Sequence, residues 1–562
     1  MSMNDAAGSA EAARVRLRWD ETGAGEPFRL GRAQRRLLRA ELGVEPDEPV
    51  DRADAAVRVP AGRLDAAALT ALRAVVGAGN VHTDAAERLG HAGGMSYLDL
   101  VHRREDTMLP APDAVVAPAD HDEVVGLLGV AERCGLAVVP YGGGTSVVGG
   151  VNPPEGGRPV LALDLGRMTA LVAVDEVSAT ATLQPGLTGP EAERLLGEHG
   201  LTLGHFPQSW ELSTVGGWLA TRSAGQASTG FGRVDDLVVG LRVATPRGTL
   251  ELGRAPRSAA GPDLRELFVG SEGAFGVITE ATLRVRPVPT VRRYLGWSFP
   301  GLDAGLTALR RLVQEGVAPD VLRLSDAEET RVTLALAGRS GRAVRAYQRL
   351  RGHGEPCLAV TGWEGTSRNR VRARQAAADE VLRAAGGVPL GAKVGEAWRH
   401  GRYAAPRQRD VLLDLGVLAE TLETATSWTR LAELHEKVAA AIRTALDGAG
   451  TPPVVMAHVS HAYPTGASLY VTVLARRTDD TAAQWWSAKR AALDAITEVG
   501  GTITHHHAVG RDHVPWLADE VGPLGVDVLR AVKQCVDPAG VLNPGVLVPE
   551  PDRQRRPEPP GR

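Results

Sequence analysis

V-V-P-Y-G-G-G-T-S-V-V-G-G, from Val138 to Gly150, is the segment from which the organisation of this chain can be worked out. Two β-branched residues and a proline lead into three consecutive glycines, which Thr145 and Ser146 follow. A loop that lacks Cβ atoms lets backbone N–H groups converge on an anion, and the two hydroxyls add donors to the same concavity. The segment predicts a strand that ends in a phosphate-binding loop, although a tight turn between two strands would use the same glycines.

Length and composition limit the classes of protein to which the chain can belong. It has 562 residues, of which 43% are hydrophobic and 23% charged. These values predict a globular protein of roughly two to four domains or lobes. The net charge of −4 and the lack of basic runs interleaved with aromatic residues argue against nucleic acid as a partner.

Nothing in the sequence predicts secretion or a membrane crossing. The N-terminal segment contains acidic residues and lacks an apolar core, and no apolar run approaches the roughly 18 to 20 residues that span a bilayer. Cys134, Cys357 and Cys535 are an odd number of widely separated thiols, which disfavours a disulfide framework or a zinc site. A cytoplasmic protein fits best, while peripheral membrane contact and a homodimer both stay open.

Hydrophobic periodicity divides the chain into segments of different character, and the predicted fold class is α+β. Residues 1–105 are expected to form an N-terminal helical extension without chemistry of its own. Residues 106–288 combine short strands with a few helices, whereas residues 289–500 alternate longer helices with strands typical of an antiparallel sheet. Residues 501–548 should pack back on the first domain, and the proline-rich, charged residues 549–562 should be a disordered tail.

Two further segments are rich in glycine and hydroxyl groups. One is Q-S-W-E-L-S-T-V-G-G-W-L-A-T, from Gln208 to Thr221, which R-S-A-G follows. The other is G-S-E-G-A-F-G-V-I-T, from Gly270 to Thr279, which leads into a predicted strand. Either segment alone is typical of a loop. None of the three matches G-x-G-x-x-G or the Walker A pattern, so a Rossmann dinucleotide site or an ATPase has no support.

Together and in this order, the three segments resemble the FAD-binding domain of the vanillyl-alcohol oxidase and para-cresol methylhydroxylase flavoprotein superfamily. D-P-A-G-V-L-N-P-G, from Asp537 to Gly545, resembles the C-terminal motif of the same superfamily. The resemblance implies a two-lobed FAD-binding domain of the PCMH type and a substrate or cap domain, in which helices cover an antiparallel sheet. Members that tether the flavin place a histidine or cysteine in the first loop, where this chain has Tyr141 and glycines. Noncovalent FAD is therefore expected.

The resemblance also implies which residues contact FAD. They are Pro140, Tyr141, Gly142, Gly143, Gly144, Thr145, Ser146, Gln208, Ser209, Glu211, Leu212, Ser213, Thr214, Thr221, Arg222, Ser223, Ala224, Glu272, Gly273, Gly276, Val277, Ile278 and Thr279.

Within the superfamily, the chain is most similar to the alkyldihydroxyacetonephosphate synthases, a family of ether-lipid enzymes. Matching segments cover most of residues 95–545 and include V-L-R-L-S-D (321–326), A-Y-P-T-G-A-S-L-Y (462–470) and H-H-H-A-V-G (505–510). The resemblance implies that the acyl group of acyl-dihydroxyacetone phosphate is exchanged for a fatty alcohol. The exchange would pass through an adduct at flavin N5 and involve no net redox change.

Tyr470 lies in A-S-L-Y-V-T-V-L, where strand alternation places Ser468, Tyr470 and Thr472 on one face. A tyrosine in a sheet is more often a core residue that has found a hydrogen-bond partner. The resemblance instead implies a catalytic tyrosine, which donates or accepts a proton at the reacting carbon. Such a role favours a phenol whose pKa is moved toward the working pH.

His505, His506 and His507 are three consecutive imidazoles. If they lie on a strand, consecutive residues alternate sides, so only His505 and His507 could share a metal ion, and no metal is expected. Imidazoles of the surface or the core are the plain alternative. The resemblance assigns the triplet to the active site, where an imidazole deprotonates the incoming alcohol or binds the substrate.

Arg323 and Arg409 are singled out only by the resemblance, because most arginines are solvated surface groups. It implies that Arg409 binds the substrate and that Arg323 is needed for activity. A planar guanidinium suits phosphate or carboxylate, with which it forms paired hydrogen bonds. The expected partner is therefore a small-molecule or lipid-derived substrate that bears one of these groups.

Two other functions are compatible with the same fold. In an FAD-dependent 2-hydroxy-acid dehydrogenase or oxidase, of the D-lactate or glycolate type, the arginines would bind a carboxylate and the flavin would accept a hydride. A flavin-binding protein without catalysis is the other possibility, against which the intact Tyr470 and His505 to His507 argue.

Overall fold

The computed structural model describes residues 11–13, 19, 28–46, 57–105, 108–154 and 156–549, so the expected tail lies outside it except for residue 549. The N-terminal elements are β1 (Glu11–Ala13), α1 (Arg32–Leu37), a π-helical turn (Leu38–Leu42), β2 (Val57–Val59), α2 (Ala66–Val76), a 3₁₀ turn (Ala78–Asn80), β3 (Val81–His82), α3 (Ala85–Gly90) and α4 (Tyr97–Glu105).

The N-terminal segment is not purely helical, and its helix α2 shares a core with the next segment. Leu72 and Val76 of α2 pack in the same cluster as Leu127 and Leu128. An amphipathic helix is stabilised mainly by burying its apolar face, and α2 does so against a neighbouring helix.

The segment that follows contains two large sheets and one short two-stranded sheet. Its elements are β4 (Ala114–Val116), α5 (His121–Cys134), β5 (Ala137–Tyr141), β6 (Val160–Asp164), β7 (Leu171–Asp175), β8 (Thr180–Leu183), α6 (Gly189–Gly197), β9 (Leu201–Thr202), α7 (Val215–Thr221), α8 (Ser228–Phe231), α9 (Val234–Leu237), β10 (Val238–Thr245), β11 (Gly248–Leu252), α10 (Arg265–Phe268), β12 (Val277–Arg284) and β13 (Arg286–Pro287). One large sheet has the order β3-β4-β6-β5, with β4, β6 and β5 parallel, and the other is antiparallel with the order β11-β10-β12-β8-β7. These sheets form the two expected lobes.

Local signals explain how the first glycine-rich loop is placed. Asp120 caps α5 by accepting a hydrogen bond from the Glu123 amide at 2.9 Å, and Gly135 ends the helix with a φ of +64°. The buried strand β5 follows at once and carries Tyr141 to the start of the loop. The strand that the sequence predicts before the glycines is confirmed.

The second large segment is built on one seven-stranded sheet. Its elements are β14 (Val291–Phe299), α11 (Leu302–Gln314), β15 (Val321–Ser325), α12 (Ala327–Leu336), α13 (Gly338–Leu350), β16 (Cys357–Gly365), α14 (Arg368–Ala384), β17 (Val388–Gly391), α15 (Ala392–Gly401), α16 (Ala405–Asp414), β18 (Val417–Ser427), α17 (Leu431–Gly448), β19 (Val454–Ala462), β20 (Gly466–Arg476) and α18 (Thr481–Val499). The sheet is antiparallel with the order β17-β14-β16-β15-β19-β20-β18. Helices α11, α14, α17 and α18 pack their buried side chains against it in one large core. This arrangement confirms the expected sheet covered by helices.

The C-terminal segment returns to β5. Helix α19 (Leu517–Val536) is kinked at Gly522, where φ is +75°. Beyond it, the amide of Val138 donates to the Val541 carbonyl at 2.8 Å, and the amide of Asn543 donates to the Val138 carbonyl at 2.8 Å. Across the part of the chain that is described, none of the helices has the length and apolar character needed to cross a bilayer.

Candidate active site

A cavity of 590 Å³ lies between the glycine-rich loops and the seven-stranded sheet. Its wall contains the loop after β5, the start of α7, the turn before β12, and side chains of β15, β18, β19 and β20. The volume is within the range of roughly 300 to 1,000 Å³ that is typical of small-molecule and cofactor sites. Segments far apart in sequence therefore border one continuous space.

The first glycine-rich loop packs directly against the second segment. A Cβ atom at Gly143 would overlap the carbonyl oxygen of Leu212, and one at Gly142 would overlap Oγ1 of Thr214. Gly144 has a φ of +63°, in the left-handed region that glycine adopts without strain. Glycines are therefore required here for close approach as well as for conformation.

The third segment closes against the first. Gly273 has a φ of +75°, and a Cβ atom on it would lie 2.6 Å from Cγ of Pro140. The preceding residue, Glu272, also has a positive φ, +52°. Nδ2 of Asn543, in the C-terminal motif, donates to the Glu272 carbonyl oxygen at 2.7 Å and holds this turn. The three segments thus form a single trough.

The donors along this trough fit FAD. The loop after β5 presents backbone N–H groups together with the side chains of Thr145 and Ser146, as a pyrophosphate requires. Gln208 also lines the cavity, and its buried Nε2 has no hydrogen-bond partner among the described residues. A ligand that accepts hydrogen bonds would satisfy this atom.

Most of the residues expected to contact FAD line the cavity. The ones that do are Pro140, Tyr141, Gly142, Gly143, Gly144, Thr145, Ser146, Gln208, Ser209, Ser213, Thr214, Thr221, Ser223, Ala224, Glu272, Gly273, Gly276, Val277 and Ile278. The structure does not bring Glu211, Leu212, Arg222 or Thr279 to it.

Those residues make other contacts. Glu211 forms an ion pair with Arg407 at 2.9 Å, and Arg222 forms one with Glu266 at 2.6 Å. Oγ1 of Thr279 donates to a backbone carbonyl at 3.1 Å. Their side chains stabilise the walls of the trough. A motif match alone does not distinguish such a residue from one that contacts the cofactor.

Tyr470 lies on β20, between β19 and the edge strand β18 of the seven-stranded sheet. Strand β20 places it opposite His458 of β19 on one side and Glu423 of β18 on the other. The Tyr470 and His458 rings are stacked, with centroids 4.9 Å apart. Tyr470 and Thr472 line the cavity whereas Leu469 is in the core, so the predicted alternation of faces is confirmed.

The pKa of Tyr470 is not moved toward a working pH near neutrality. Burial raises the pKa of the phenol to about 12, because a low-dielectric site disfavours the phenolate. The protein surroundings alone therefore shift this pKa away from neutrality rather than toward it. A phenol that keeps its proton can still donate a hydrogen bond or a proton to a group that becomes more basic.

The histidine triplet does not lie on a strand. It forms part of an irregular loop between α18 and α19, so the alternation argued from a strand does not apply. The backbone amides of His505, His506 and His507 all donate to the carboxylate of Glu423, at 2.6, 3.1 and 2.9 Å. His506 and His507 line the cavity, whereas Nε2 of His505 lies 2.7 Å from the hydroxyl of Tyr463.

The imidazole rings form one buried cluster. Nδ1 of His505 lies 2.9 Å from Nδ1 of His506, and the His461 ring stacks on His505 with centroids 5.3 Å apart. Ring nitrogens of these three residues lie within 4.8 Å of one another, so His461, which the sequence did not single out, joins His505 and His506. Burial lowers the pKa of His505 to about 4, and it also lowers the pKa of His506 and His507. The rings are therefore neutral near pH 7 and can accept a proton.

The two arginines differ in how far their donors are already used. Nη2 of Arg323 donates to Glu329 at 2.7 Å, and its Nη1 lies 3.0 Å from Nε2 of His458. Arg409 lies 3.6 Å from the Glu420 carboxylate, and its buried Nε has no hydrogen-bond partner in the described part of the protein. Both line the cavity, but Arg409 is the one with donors available to a ligand.

Burial alone would raise the pKa of Glu329, but the neighbouring Arg323 and His458 outweigh it and lower that pKa to about 2. The carboxylate is therefore charged and keeps Arg323 in place.

Sequence reasoning missed the apolar wall of the cavity, part of which comes from the N-terminal segment. This wall is formed by Leu37, Leu38, Val332, Leu336, Leu412, Met456 and Leu474. Trp19 also borders the cavity, and its Nε1 donates to Glu211 at 3.2 Å. Residues 1–105, in which the sequence showed no chemistry, therefore contribute part of the cavity wall. In the sequence, the adjacent Leu37 and Leu38 were the signal that could have indicated this wall.

Comparisons with known proteins agree with this architecture. The model of a family described as FAD binding domain matches residues 112–253, and that described as FAD linked oxidases, C-terminal domain, matches residues 288–547. An alkyldihydroxyacetonephosphate synthase of Trypanosoma brucei brucei is 32% identical over 531 residues, which cover 92% of this chain and 86% of that protein.

Solved structures show the same relationship. One alkyldihydroxyacetonephosphate synthase superimposes with a TM-score of 0.78 at 31% identity and covers 91% of this chain and 92% of its own. Para-cresol methylhydroxylase with substrate bound has a TM-score of 0.65 at 18% identity, covers 85% of this chain and 96% of its own, and shares the fold. The chain therefore belongs to the vanillyl-alcohol oxidase and para-cresol methylhydroxylase superfamily of FAD-dependent enzymes, in which the alkyldihydroxyacetonephosphate synthases are its relatives.

Proposed function

We propose that this flavoenzyme exchanges the acyl group of an acyl-dihydroxyacetone phosphate for a fatty alcohol and thereby makes an ether-linked lipid precursor. The products are the alkyl-dihydroxyacetone phosphate, a fatty carboxylate and a proton, so no oxidant or reductant is consumed. The relatives named alkyldihydroxyacetonephosphate synthase support this reaction.

The observation that carries the proposal is that one cavity joins a cationic side chain to an apolar wall. Arg409 presents to a phosphate a buried Nε that has no hydrogen-bond partner among the described residues, while Leu37, Leu38 and Met456 are part of the wall that can hold an alkyl chain. A methylene group transferred from water to such a wall contributes about 0.8 kcal/mol. A small 2-hydroxy acid would fill the charged end and leave this wall unused.

Arg409 and Tyr470 are proposed to act on the dihydroxyacetone phosphate part. FAD, when bound, supplies a nucleophilic ring nitrogen, N5. The guanidinium of Arg409 holds the phosphate through charge-assisted hydrogen bonds. The protonated phenol of Tyr470 exchanges a proton at the reacting carbon, and its high pKa favours return of that proton after each transfer.

The histidine cluster is proposed to act on the alcohol. His506 and His507 line the cavity and are neutral near pH 7 because burial lowers their pKa. A neutral imidazole accepts the hydroxyl proton as the alcohol oxygen forms its bond to carbon. The bond between the dihydroxyacetone carbon and the ester oxygen breaks in a separate step, and the departing carboxylate takes that electron pair.

The experiment uses the purified FAD-loaded enzyme under anaerobic conditions. It is mixed with palmitoyl-dihydroxyacetone phosphate and radiolabelled hexadecanol, and the lipid products are separated. We expect label in an ether-linked phosphate product that survives alkaline hydrolysis, with one equivalent of palmitate released. In a parallel sample, glycolate or D-lactate should leave the yellow flavin spectrum unchanged.

Two variants connect the result to the cavity. Arg409→Met should abolish most of the ether product, whereas Arg399→Met, which replaces a partly exposed arginine paired with Glu396, should not change it. Lasting bleaching of the flavin by a hydroxy acid, without ether product, would overturn the synthase and favour the dehydrogenase.

A further inference from the structure

The carboxylate of Glu423 gathers four donors from the histidine loop, which we define as residues 504–510. Besides the three histidine amides, Oγ1 of Thr504 donates to Glu423 Oε1 at 2.7 Å. Only 3% of Glu423 is exposed. Burial would raise its pKa, but the pKa lies well below the ordinary value because the groups around the carboxylate, among them the Thr504 hydroxyl, outweigh burial. A charged, fully satisfied carboxylate thus lies beneath the loop.

A second carboxylate holds the other end of the same loop. The amide of Val509 donates to Glu272 Oε2 at 3.1 Å, and the amide of Gly510 donates to both carboxylate oxygens, at 3.0 and 2.9 Å. Glu272 belongs to the third segment of the trough and borders the cavity. The loop is therefore attached to β18 of the cap at one end and to the trough at the other.

This double attachment determines where the histidine rings lie. Strand pairing places Glu423 directly opposite Tyr470, so the loop that Glu423 holds must pass beside the phenol. The rings of His506 and His507 have centroids 6.1 and 5.8 Å from that of Tyr470. Three backbone amides can all donate to one carboxylate only if the loop keeps its shape. The histidine rings are attached to that backbone, so their positions depend on the same hydrogen bonds.

We propose that Glu423 and Glu272 are positioning residues that fix the histidine loop between the trough and Tyr470. This role rests on the proposed function, since the histidines matter there as acceptors of the alcohol proton. In this role, neither Glu423 nor Glu272 contacts the reacting atoms. Displacement of an acceptor by about 1 Å can reduce a rate by on the order of 100-fold, so the attachment has a measurable consequence.

A carboxylate is required at position 423 because every hydrogen bond to this side chain comes from an N–H or O–H donor. Glutamine offers one oxygen and one NH₂ group, so at least one backbone amide would face another donor. The loop should then loosen at its histidine end. Thr504→Val is a milder change, which removes one donor while leaving the carboxylate and the three amides in place.

The first measurement is hydrogen exchange of the FAD-loaded enzyme, followed by mass spectrometry. Glu423→Gln should speed exchange in peptides that contain residues 504–508, and Glu272→Gln should do so in those that contain residues 509–511. Glu498→Gln is the matched control, because Glu498 lies on the surface of the same domain and pairs with Lys437. It should leave exchange of the loop unchanged.

The second measurement is steady-state kinetics with acyl-dihydroxyacetone phosphate and hexadecanol. Glu423→Gln should lower kcat by 10- to 100-fold while KM for the phosphate substrate and the flavin spectrum stay the same. Thr504→Val should lower kcat less, by several-fold, and it provides the test if Glu423→Gln does not fold. A purely structural role would instead lower the yield or the melting temperature without this selective loss of kcat.

The two proposals fail in different ways. Unchanged exchange of the loop in both Glu423→Gln and Glu272→Gln would overturn the attachment, whatever the reaction. A loosened loop with unchanged kcat would overturn the positioning role. Absence of ether product from the wild-type enzyme, with the exchange results as expected, would overturn the proposed function and with it the catalytic meaning of the attachment.

Discussion

Arg409 and Glu420 face each other across the charged end of the cavity without forming a hydrogen bond. Nη1 of Arg409 lies 3.6 Å from Glu420 Oε2, and that oxygen has no hydrogen-bond partner within the described ranges of the chain. Burial raises the pKa of Glu420, although Arg409 opposes the shift. The pair therefore leaves room and donors for a phosphate, which would displace the carboxylate as the partner of the guanidinium.

This relationship predicts opposite effects of two substitutions on substrate affinity. Arg409→Met should raise KM for acyl-dihydroxyacetone phosphate by on the order of 100-fold, since a charge-assisted hydrogen bond contributes about 1.5 to 3 kcal/mol. Glu420→Gln should lower KM, because it removes a negative charge that competes with the phosphate. Steady-state kinetics at fixed alcohol concentration measures both. Changes of the same sign would contradict phosphate binding at Arg409.

Tyr470 should act as a protonated group throughout the neutral range. Because burial raises its pKa to about 12, no phenolate should form below about pH 11 at this position. The absorbance change at 295 nm on titration should therefore be the same in wild type and Tyr470→Phe up to that pH. The variant should bind FAD normally and lose on the order of 100-fold in kcat, as expected when a proton donor is removed. Ionisation of Tyr470 near neutrality would contradict this assignment.

Features that depend on neighbouring residues could be predicted from the sequence. Asp120 and Gly135 mark the ends of α5, so the strand and loop after it follow from local capping. The face of Tyr470 followed from the two-residue period of a strand. In both cases, the residues that carry the signal lie within or next to a single helix or strand.

Features that depend on tertiary pairing could not be predicted from the sequence. Glu423 meets the histidine loop only because β18 pairs with β20 in one register, and nothing near residue 423 indicates that register. The loop amides are paired with a carboxylate far away in sequence, and the strand that the metal argument assumed is not formed. Leu37 and Leu412 border the same cavity although they are far apart in sequence, and only the fold brings them together.

His513 should make the stability of the enzyme depend on pH. Burial, with the nearby Lys489, lowers the pKa of His513 to about 3, whereas an unfolded histidine has a pKa near 6.5. Between these values the unfolded state binds more protons, so stability is fully present above about pH 6.5 and is lost as pH falls toward 3. One such group contributes at most about 1.4 kcal/mol per pH unit.

Urea denaturation of the enzyme between pH 4.5 and 7 tests this linkage. His513→Asn should reduce the slope of the unfolding free energy against pH, even if it lowers stability at every pH. His400→Asn replaces an exposed imidazole and should leave the slope unchanged. An unaltered slope in His513→Asn would show that this ring is protonated in the folded state.

The glycine loop supplies the most direct test of the trough. Gly143→Ala places a methyl group where the Leu212 carbonyl oxygen lies, so the first loop and the second segment must move apart. We expect the purified variant to lose most of its bound FAD, seen as a lower ratio of absorbance at 450 nm to that at 280 nm. Gly197→Ala is the matched control, because that glycine ends helix α6 in the same domain and has open space around its Cβ position. Alanine should be accepted there, with a gain of up to about 1 kcal/mol in helix propensity. Full flavin content in Gly143→Ala would mean that the close approach of these two segments is not what holds the cofactor.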